Sequence, residues 1–300
     1  MIPENSTEIP RWPAARPLDL SDKALFDAIF ALIQPRISEL TFAGLYLFRA
    51  AHDYHVSRLG DSIVIRGKGY AGDSYCMLPL GGDVAAACAH LLEGGIEIYG
   101  ADESFVSASL TDSGYEIIEE RDSFDYLYLR DDLALLPGNR FHKKKNRISY
   151  FAARHAWEAD EFSARHLTGC LELLDGWGRA AGLEGNRSFG LEMGAAVEAL
   201  TRADALGLVG VVVVVEGKVG AFAVGERLNA DTAVCHFEKA NHFMEGLSQL
   251  VNREFCRLLF TDCRHINREQ DLGEPGLRNA KLSYHPIELV KKFRLRRKTK

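Results

Sequence analysis

Polar side chains that could do chemistry are concentrated near the end of the chain, in the stretch from His265 to Pro286. Four of them are Asn267, Glu269, Arg278 and Lys281. Residues of these types rarely lie in a protein core without a partner. A carboxylate can take up a proton during a reaction, and arginine and lysine can bind phosphate groups. We therefore treat these four residues as a candidate site.

The elements around these residues are predicted to be a strand at 265–268 and a short helix near 275–282. Asp271 stands three residues before Glu274, and Pro275 follows directly, which is typical of a capping box with Asp271 as the N-cap. For these three residues a structural role is the simpler interpretation. The four candidate residues remain, near the C-terminal end of a strand, where ligands collect in open α/β sheets.

A second polar group lies in "CHFEKAN", which predicts a strand with one apolar and one polar face. We include His236, Glu238 and Lys239 of this strand as candidates, although a lone histidine is more often a hydrogen-bonded structural residue. The following loop, "ANHFMEGLSQL", has one glycine. It lacks the Gln/Arg-x-x-Gly-x-Gly/Ala pattern whose backbone N–H groups hold the pyrophosphate of coenzyme A. The sequence therefore does not favour acetyl-CoA as a ligand of this loop.

Positive charge is clustered at two places in an otherwise acidic chain. The net charge is -6, yet the last ten residues, "KKFRLRRKTK", carry seven positive charges and no negative ones. A second cluster, "RFHKKKNR", lies mid-chain and contains Lys143, Lys144, Lys145 and Arg147. Local basic clusters favour an anionic partner such as phosphate, RNA or a membrane surface. For the terminal cluster, a solvated tail that binds nothing is the alternative.

The composition is that of a soluble globular protein, with 300 residues, 47 % hydrophobic and 26 % charged. The longest apolar run, Leu206–Val215, is shorter than the ~20 residues that a transmembrane helix needs, so no transmembrane segment is expected. The six cysteines form no C-x-x-C pair, which indicates reduced thiols in a cytoplasmic protein. No spacing of His, Cys and Asp resembles a metal site, so no metal is expected.

The predicted elements alternate between helices and strands. In the first half, "LSDKALFDAIFALIQP" predicts a helix, "TFAGLYLFR" a strand, and "YEIIEERDSFDYLYLR" two strands paired as a hairpin. In the second half, two helices precede the hairpin "VGVVVVVEGKVGAFAVGERL". A strand, a helix, a strand, a helix and a last strand near Leu289–Leu295 then follow. That order is the order of the GNAT acyltransferase fold.

The fold class that this order predicts is α+β (mixed α/β), with two GNAT-like acyltransferase halves, each a mixed sheet flanked by helices. The duplication rests on element order, because the two halves share little sequence identity, and two separate α+β domains are the alternative. The predicted division is a lead-in at 1–17, an N-terminal GNAT-like domain at 18–139, a basic connecting segment at 140–150, a C-terminal GNAT-like domain at 151–296 and a basic tail at 297–300.

Three segments carry a resemblance to a known family: "GNRFHKKKNRISYF", "HFEKAN" and "INREQDLGEPGLRNAKLSYHP". They resemble the phosphatidylglycerol lysyltransferase C-terminal domain family, which has a tandem GNAT fold related to Fem-type peptidoglycan aminoacyltransferases. The resemblance covers roughly residues 17–295. It implies a stand-alone soluble member without the membrane-embedded flippase portion, and that difference leaves the acceptor open.

The resemblance also implies a reaction. Aminoacyl-tRNA would be the donor, and a lipid or other small molecule would be the acceptor, with possible peripheral membrane contact and no tightly bound cofactor. An aminoacyl ester is already activated, so catalysis needs positioning, one proton transfer and stabilisation of an oxyanion. The resemblance suggests three groups of residues: Glu269, Glu238 and Asn267 as catalytic; Arg278, Lys281, His236 and Lys239 as substrate-binding; Lys143, Lys144, Lys145 and Arg147 as nucleic-acid-binding.

Two other functions fit the same sequence. An acyl-CoA-dependent N-acyltransferase acting on a small amine would use the same fold, although the missing pyrophosphate loop counts against it. A non-catalytic binding protein could also have kept the fold, because a fold does not fix a function.

Overall fold

The computed structural model describes residues 9–69, 72–109, 114–180 and 187–298. The start of the predicted lead-in, residues 1–8, and the last two residues of the predicted tail lie outside the described residues. The chain divides into two compact units. The first comprises Met1–Asp125, Gln270–Pro275 and Leu289–Lys300, and the second comprises Tyr126–Glu269 and Gly276–Glu288.

The first unit is a seven-stranded mixed sheet with helices, numbered here along the whole chain. Its helices are α1 (Lys23–Ile33), α2 (Phe42–His52), α3 (Val84–Glu93) and α4 (Glu103–Ser109). Its strands are β1 (Arg16–Pro17), β2 (His55–Leu59), β3 (Ser62–Lys68), β4 (Ser74–Met77), β5 (Glu97–Ala101), β6 (Tyr115–Glu119) and β14 (Phe293–Arg297). The strand order is β1-β2-β3-β4-β5-β14-β6, and β4 runs parallel to β5.

The second unit carries the other seven-stranded mixed sheet. Its helices are α5 (Arg130–Leu135), α6 (His142–Ala152), α7 (Leu167–Ala180), α8 (Arg187–Thr201), α9 (Ala203–Leu206), α10 (Leu247–Leu258) and α11 (Pro275–Leu282). The strands of this sheet are β7 (Asp125–Leu129), β8 (Trp157–Glu161), β9 (Val209–Val215), β10 (Lys218–Arg227), β11 (Thr232–Ala240), β12 (His265–Asn267) and β13 (Glu288–Val290). The order is β13-β7-β12-β11-β10-β9-β8, and β11 runs parallel to β12. The predicted fold class, two mixed sheets flanked by helices, is confirmed.

The structure divides the chain at different positions from the sequence-based boundaries. The segment 140–150 was predicted as a connection, but most of it forms α6 inside the second unit. Ile148 and Phe151 on this helix are buried, so the helix has an apolar face despite its basic residues. The last strand, β14, lies in the sheet of the first unit, where it pairs with both β5 and β6.

Two predictions of local structure were wrong. The predicted hairpin does not form, because β6 pairs with β14 while β7 belongs to the sheet of the second unit. The predicted strand "TFAGLYLFR" is the helix α2. Its aromatic content favours a strand, but Phe42, Leu45 and Tyr46 are spaced for one helix face and are buried. Thr41 caps the helix by accepting a hydrogen bond from the Gly44 N–H at 3.0 Å.

A buried lysine holds the returning C-terminal segment in the first unit. Lys292 Nζ lies 2.7 Å from Asp125 Oδ1 and 2.6 Å from Glu39 Oε2, and the side chains of Lys292 and Asp125 are 0 % exposed. Ser38 adds two donors to Asp125, its N–H at 2.7 Å and its hydroxyl at 2.9 Å. Burial alone would lower the pKa of Lys292, but Asp125 and Glu39 raise it, so the ammonium group stays charged.

No helix within the described ranges combines the length and apolar character that a membrane crossing requires. All six cysteines are buried free thiols.

Replacing Lys292 by methionine should cost about 3–5 kcal/mol of unfolding free energy, because Asp125 and Glu39 would lose the buried partner of their charge. Urea denaturation monitored by circular dichroism measures this cost. Lys291→Met is the matched control, since Lys291 is 38 % exposed and lies 3.6 Å or more from its carboxylate partners. The control should change stability by less than ~1 kcal/mol, and equal losses in both variants would contradict the role given to Lys292.

Candidate active site

The candidate site lies where two parallel strands of the second unit stop pairing. Strand β11 pairs with β12 only from Thr232 to Val234, after which β12 ends and β11 continues. A β-bulge begins at the same level: Val224 faces Phe237 and Gly225 faces Cys235, so His236 is the extra residue on β11. A Cβ on Gly225 would lie 2.0 Å from the Val234 carbonyl oxygen, so the bulge requires glycine here.

His236 is held between two carboxylates. Its Nδ1 lies 2.8 Å from Glu269 Oε1 and its Nε2 lies 2.9 Å from Glu226 Oε1. The His236 side chain is only 1 % exposed, and burial alone would lower its pKa, but the bonds to Glu226 and Glu269 raise it to about 10. The ring is therefore an imidazolium at neutral pH, bonded to a carboxyl group on each side.

The backbone at Glu269 is constrained by its neighbours. Glu269 has a φ of 54°, in the left-handed region that non-glycine residues rarely adopt, at a cost of about 1 kcal/mol. Its N–H donates to Asn267 Oδ1 at 2.8 Å. Its carbonyl oxygen lies 3.3 Å from Lys281 Nζ, which also donates to the Arg268 carbonyl. Asn267 and Lys281 are both buried, so they fix the direction of the Glu269 side chain.

A second polar cluster surrounds Arg268 on the neighbouring part of the same strands. Arg268 Nη2 lies 3.1 Å from Glu238 Oε2, and Asn252 Nδ2 donates to that same oxygen at 2.8 Å. The Tyr284 and Tyr128 rings lie 4.9 Å and 5.8 Å from the guanidinium carbon. Burial alone would lower the pKa of Arg268, but Glu238 raises it. Glu238 is therefore paired with the positive charge of an arginine, whereas Glu269 is paired with a histidine.

The candidate residues of the sequence are thus only partly brought together. Contacts in the structure link Asn267, Glu269, Lys281 and His236 in one network. Glu238 is in the neighbouring cluster, and Lys239 pairs with Glu192 at 2.7 Å. Arg278 is half-buried on α11, as predicted for its element.

Asp271 is not the N-cap of this helix. Helix α11 begins at Pro275, and Asp271 instead accepts a hydrogen bond from the Gly273 N–H at 2.9 Å within the preceding turn. It also lies 3.3 Å from Arg121 in the first unit.

The basic residues of α6 point in two directions. Lys143, Lys145 and Arg147 are exposed, whereas Lys144 is half-buried. Lys144 Nζ donates to Ser283 Oγ at 2.6 Å and lies 3.9 Å from the centre of the Tyr284 ring. Burial, together with the charge of Arg268, lowers the pKa of Lys144 to about 8.

The predicted C-terminal basic cluster is partly neutralised. Arg294 pairs with Glu120 at 2.6 Å, and Arg296 pairs with Glu116 at 2.9 Å, within the sheet of the first unit. Arg297 and Lys298 are exposed at the end of β14.

Sequence reasoning missed four residues of the site: Glu226, Asn252, Arg268 and Tyr284. Glu226 lies on the strand next to His236, and only the strand pairing reveals this proximity. Arg268 lies inside the candidate stretch, but on a regular strand its side chain would point to the face opposite Asn267 and Glu269. In the structure the strand ends at Asn267, so strand alternation does not determine the direction of the Arg268 side chain.

A separate cleft of about 570 Å³ opens in the second unit near the end of β11. It is lined by residues of α7 and the turn before it, of the β9–β10 hairpin and of the segment after β11, among them Arg165, Lys218, Asn241, His242 and Phe243. The Phe243 side chain is largely exposed. Among the described residues, no group of three or more His, Cys, Asp or Glu side chains is arranged to hold a metal ion.

Residues 30–296 match the sequence profile of the family described as phosphatidylglycerol lysyltransferase, C-terminal. The chain belongs to this family. The resemblance that the three sequence segments suggested is therefore confirmed. A comparison with curated proteins found no match.

Solved structures are similar over nearly the whole chain of this family member. A conserved protein of unknown function from Bacteroides thetaiotaomicron is 30 % identical, with a TM-score of 0.87, over 95 % of this chain and 99 % of that one. The C-terminal domain of a putative lysylphosphatidylglycerol synthetase from Agrobacterium fabrum is 14 % identical, with a TM-score of 0.62, over 93 % and 92 %. The L-PGS of Bacillus licheniformis has the same identity and TM-score over 98 % and 95 %. Membership of this family indicates an acyltransferase related to phosphatidylglycerol lysyltransferase. A crystal structure of FemX, 9 % identical with a TM-score of 0.56 over 94 % of this chain and 96 % of that one, has a similar fold.

The raised pKa of His236 predicts how stability depends on pH. Because the folded pKa, about 10, exceeds the ordinary value of 6.5, His236 stabilises the folded state fully below pH 6.5, and this contribution is lost as pH rises through 10. The difference in unfolding free energy between the wild type and His236→Gln should shrink by roughly 2–4 kcal/mol from pH 6.5 to 10. Denaturant titrations at several pH values measure it. His90→Gln, at an exposed histidine, is the matched control. A difference for His236→Gln that shrinks no more than that of the control would contradict the imidazolium assignment.

Proposed function

We propose that this protein transfers an aminoacyl group from aminoacyl-tRNA to a hydroxyl or amine of a lipid or other small acceptor. The observation that carries the proposal is Glu269: a partly exposed carboxyl group that is paired with the buried His236 ring, has a constrained backbone and lies at the point where β11 and β12 separate. Membership of the lysyltransferase family supports the reaction class. The reaction would take place in the cytoplasm, where charged tRNA is available, with the acceptor either dissolved or at a membrane surface.

The start of α10 argues against coenzyme A as donor. In a coenzyme A enzyme of this fold, the backbone N–H groups before that helix would hold the pyrophosphate. Here Gly246, at the N-cap, has a φ of 96° and packs on the backbone of α6. A Cβ at Gly246 would lie 2.1 Å from the Arg147 carbonyl oxygen. The backbone of α6 therefore crowds the Cα of Gly246 at this helix end.

The chemistry requires one proton to move twice. Glu269 would accept the proton of the acceptor hydroxyl or amine while that atom attacks the ester carbonyl carbon. A new ester or amide bond forms, the bond to the ribose oxygen of the tRNA breaks, and Glu269 returns the proton to that oxygen. His236 would hold the Glu269 carboxyl group in a fixed direction throughout, so His236 is a positioning residue. No cofactor enters this balance.

The exposed residues Lys143, Lys145 and Arg147 on α6 supply the positive charge for the tRNA backbone. Phosphate contacts of this kind position a nucleic acid without reading its sequence. Lys144 is turned toward Ser283 and Tyr284, so its contribution would be made inside the site instead.

Glu269→Gln should lower the transfer rate by about 10²–10⁴-fold, because glutamine keeps the shape of the side chain but cannot accept the proton. The assay incubates the protein with a mixture of charged tRNAs and candidate lipid or amine acceptors, and measures loss of the tRNA ester and gain of the aminoacylated product. Parallel reactions with acetyl-CoA test the other donor. Glu161→Gln, on the exposed edge strand, is the matched control. If acetyl-CoA is consumed and charged tRNA is not, the donor assignment is wrong, and if neither is consumed by the wild type, a binding function is favoured.

The double variant Lys143→Ala, Lys145→Ala should weaken tRNA binding and reduce its dependence on salt. Removing one lysine–phosphate interaction lowers the slope of log affinity against log salt by ~0.9 for duplex regions, so the slope should fall by about 1–2. Filter binding or fluorescence anisotropy at several salt concentrations measures it. The charge-matched control is Lys23→Ala, Lys68→Ala in the first unit. Equal slopes for the wild type and both double variants would exclude α6 as the tRNA-binding surface.

A further inference from the structure

Two buried polar atoms in the Arg268 cluster lack a hydrogen-bond partner within the described ranges: Nη1 of Arg268 and Oδ1 of Asn252. Both residues donate to the same oxygen, Oε2 of Glu238: Arg268 through Nη2 and Asn252 through its amide nitrogen, Nδ2. Asn252 is buried, with 1 % of its surface exposed to solvent. An unpaired buried donor or acceptor costs about 1–3 kcal/mol, so two at one place call for a physical explanation.

The orientation of the Asn252 amide is fixed by its neighbour. An ionised carboxylate only accepts hydrogen bonds, so the Nδ2 group must face Glu238 and Oδ1 must face away from it. Arg268 is fixed in the same way, because Nη2 binds Glu238 and the rings of Tyr128 and Tyr284 flank the guanidinium group. The cluster therefore presents one strong donor and one acceptor beside a carboxylate.

An α-amino acyl group has the complementary pair of atoms. Its carbonyl oxygen accepts hydrogen bonds, and its α-ammonium group donates three and carries a positive charge. We propose that Arg268, Asn252 and Glu238 form the subsite that binds the aminoacyl part of the donor: Arg268 Nη1 donates to the ester carbonyl oxygen, and the α-ammonium group donates to Asn252 Oδ1 and to Glu238. This inference rests on the proposed function and adds to it the recognition of the α-amino group.

The position of the subsite suits the reaction. Arg268 and Glu269 are consecutive residues, so their Cα atoms are about 3.8 Å apart. The charges of Arg268 and Glu269 both shift the pKa of the buried Cys235 thiol, so both side chains lie beside this residue of β11, and a carbonyl held by Arg268 would be near the carboxylate that is proposed to take the proton of the acceptor. Arg268 would also stabilise the oxyanion that develops on that carbonyl oxygen. Glu238, the alternative base in the sequence-based prediction, has a binding role in this arrangement.

The test uses small ligands, so it does not depend on transfer activity. A panel of L-amino acid amides stands in for the aminoacyl ester, and their N-acetyl derivatives, which lack the ammonium group, are the matched ligands. Calorimetric titration of the full chain should detect binding of at least one amide and at least 10-fold weaker binding of its N-acetyl derivative. Asn252→Leu should reduce that preference at least 10-fold, whereas Asn279→Leu, on the exposed face of α11, should preserve it.

A second variant covers the case in which Asn252→Leu fails to fold. Arg268→Lys keeps a cation for Glu238 but removes the second donor, and it should weaken amide binding by a similar factor with little change in melting temperature. Equal binding of amides and N-acetyl derivatives would overturn the inference. The inference would also be overturned if no amide bound and the melting temperature of Asn252→Leu were unchanged or higher. That result would mean that the two buried polar atoms bind only a water molecule.

The two proposals can fail separately. If the wild type transfers aminoacyl groups, and Glu269→Gln abolishes transfer, while amides and N-acetyl derivatives bind alike, the subsite is wrong and the proposed function stands. If amides bind with the expected preference but no charged tRNA is consumed with any acceptor, the subsite stands and the proposed function is wrong.

Discussion

The second unit depends on a single feature of its sheet: two parallel strands that pair over three residues and then separate. Strand separation exposes backbone groups and turns side chains of both strands toward the same space, and any charge placed there must be paired or face a ligand. The bulge at His236 and the left-handed backbone at Glu269 are the local consequences. The bonds from Asn267 and Lys281 to the Glu269 backbone compensate for the strain. The polar residues around His236 and Glu269 thus occupy the place where β11 and β12 no longer pair.

Buried cations between paired carboxylates are found in each unit. Lys292 lies between Asp125 and Glu39 in the first unit, and His236 lies between Glu226 and Glu269 in the second. The two arrangements differ in exposure, and this difference separates their roles. Asp125 is fully buried, so the lysine centre can only stabilise the fold. Glu269 keeps 23 % of its side chain exposed, so the histidine centre can meet a substrate.

The sequence predicted the fold class, because hydrophobic periodicity and element order survive in a single chain. It also selected Asn267, Glu269, Lys281 and His236, which the structure joins by direct contacts. Periodicity could not predict which sheet a strand enters, so the positions of β7 and β14 were missed. Helix α2 was taken for a strand because aromatic content outweighed its 3.6-residue spacing. Glu226 and Asn252 were missed because only strand pairing and helix packing bring them to the site.

The position of β14 has a consequence for synthesis of the chain. This strand lies between β5 and β6, so the sheet of the first unit lacks an inner member until residues 293–297 leave the ribosome. While the second unit is translated, the sheet formed by the first 125 residues is incomplete, and the edges of β5 and β6 that later pair with β14 are unpaired. Contacts between residues so distant in sequence form slowly. Strand β14 therefore completes the sheet of the first unit late in synthesis, and nascent chains that stop before it should be substrates for chaperones or proteases.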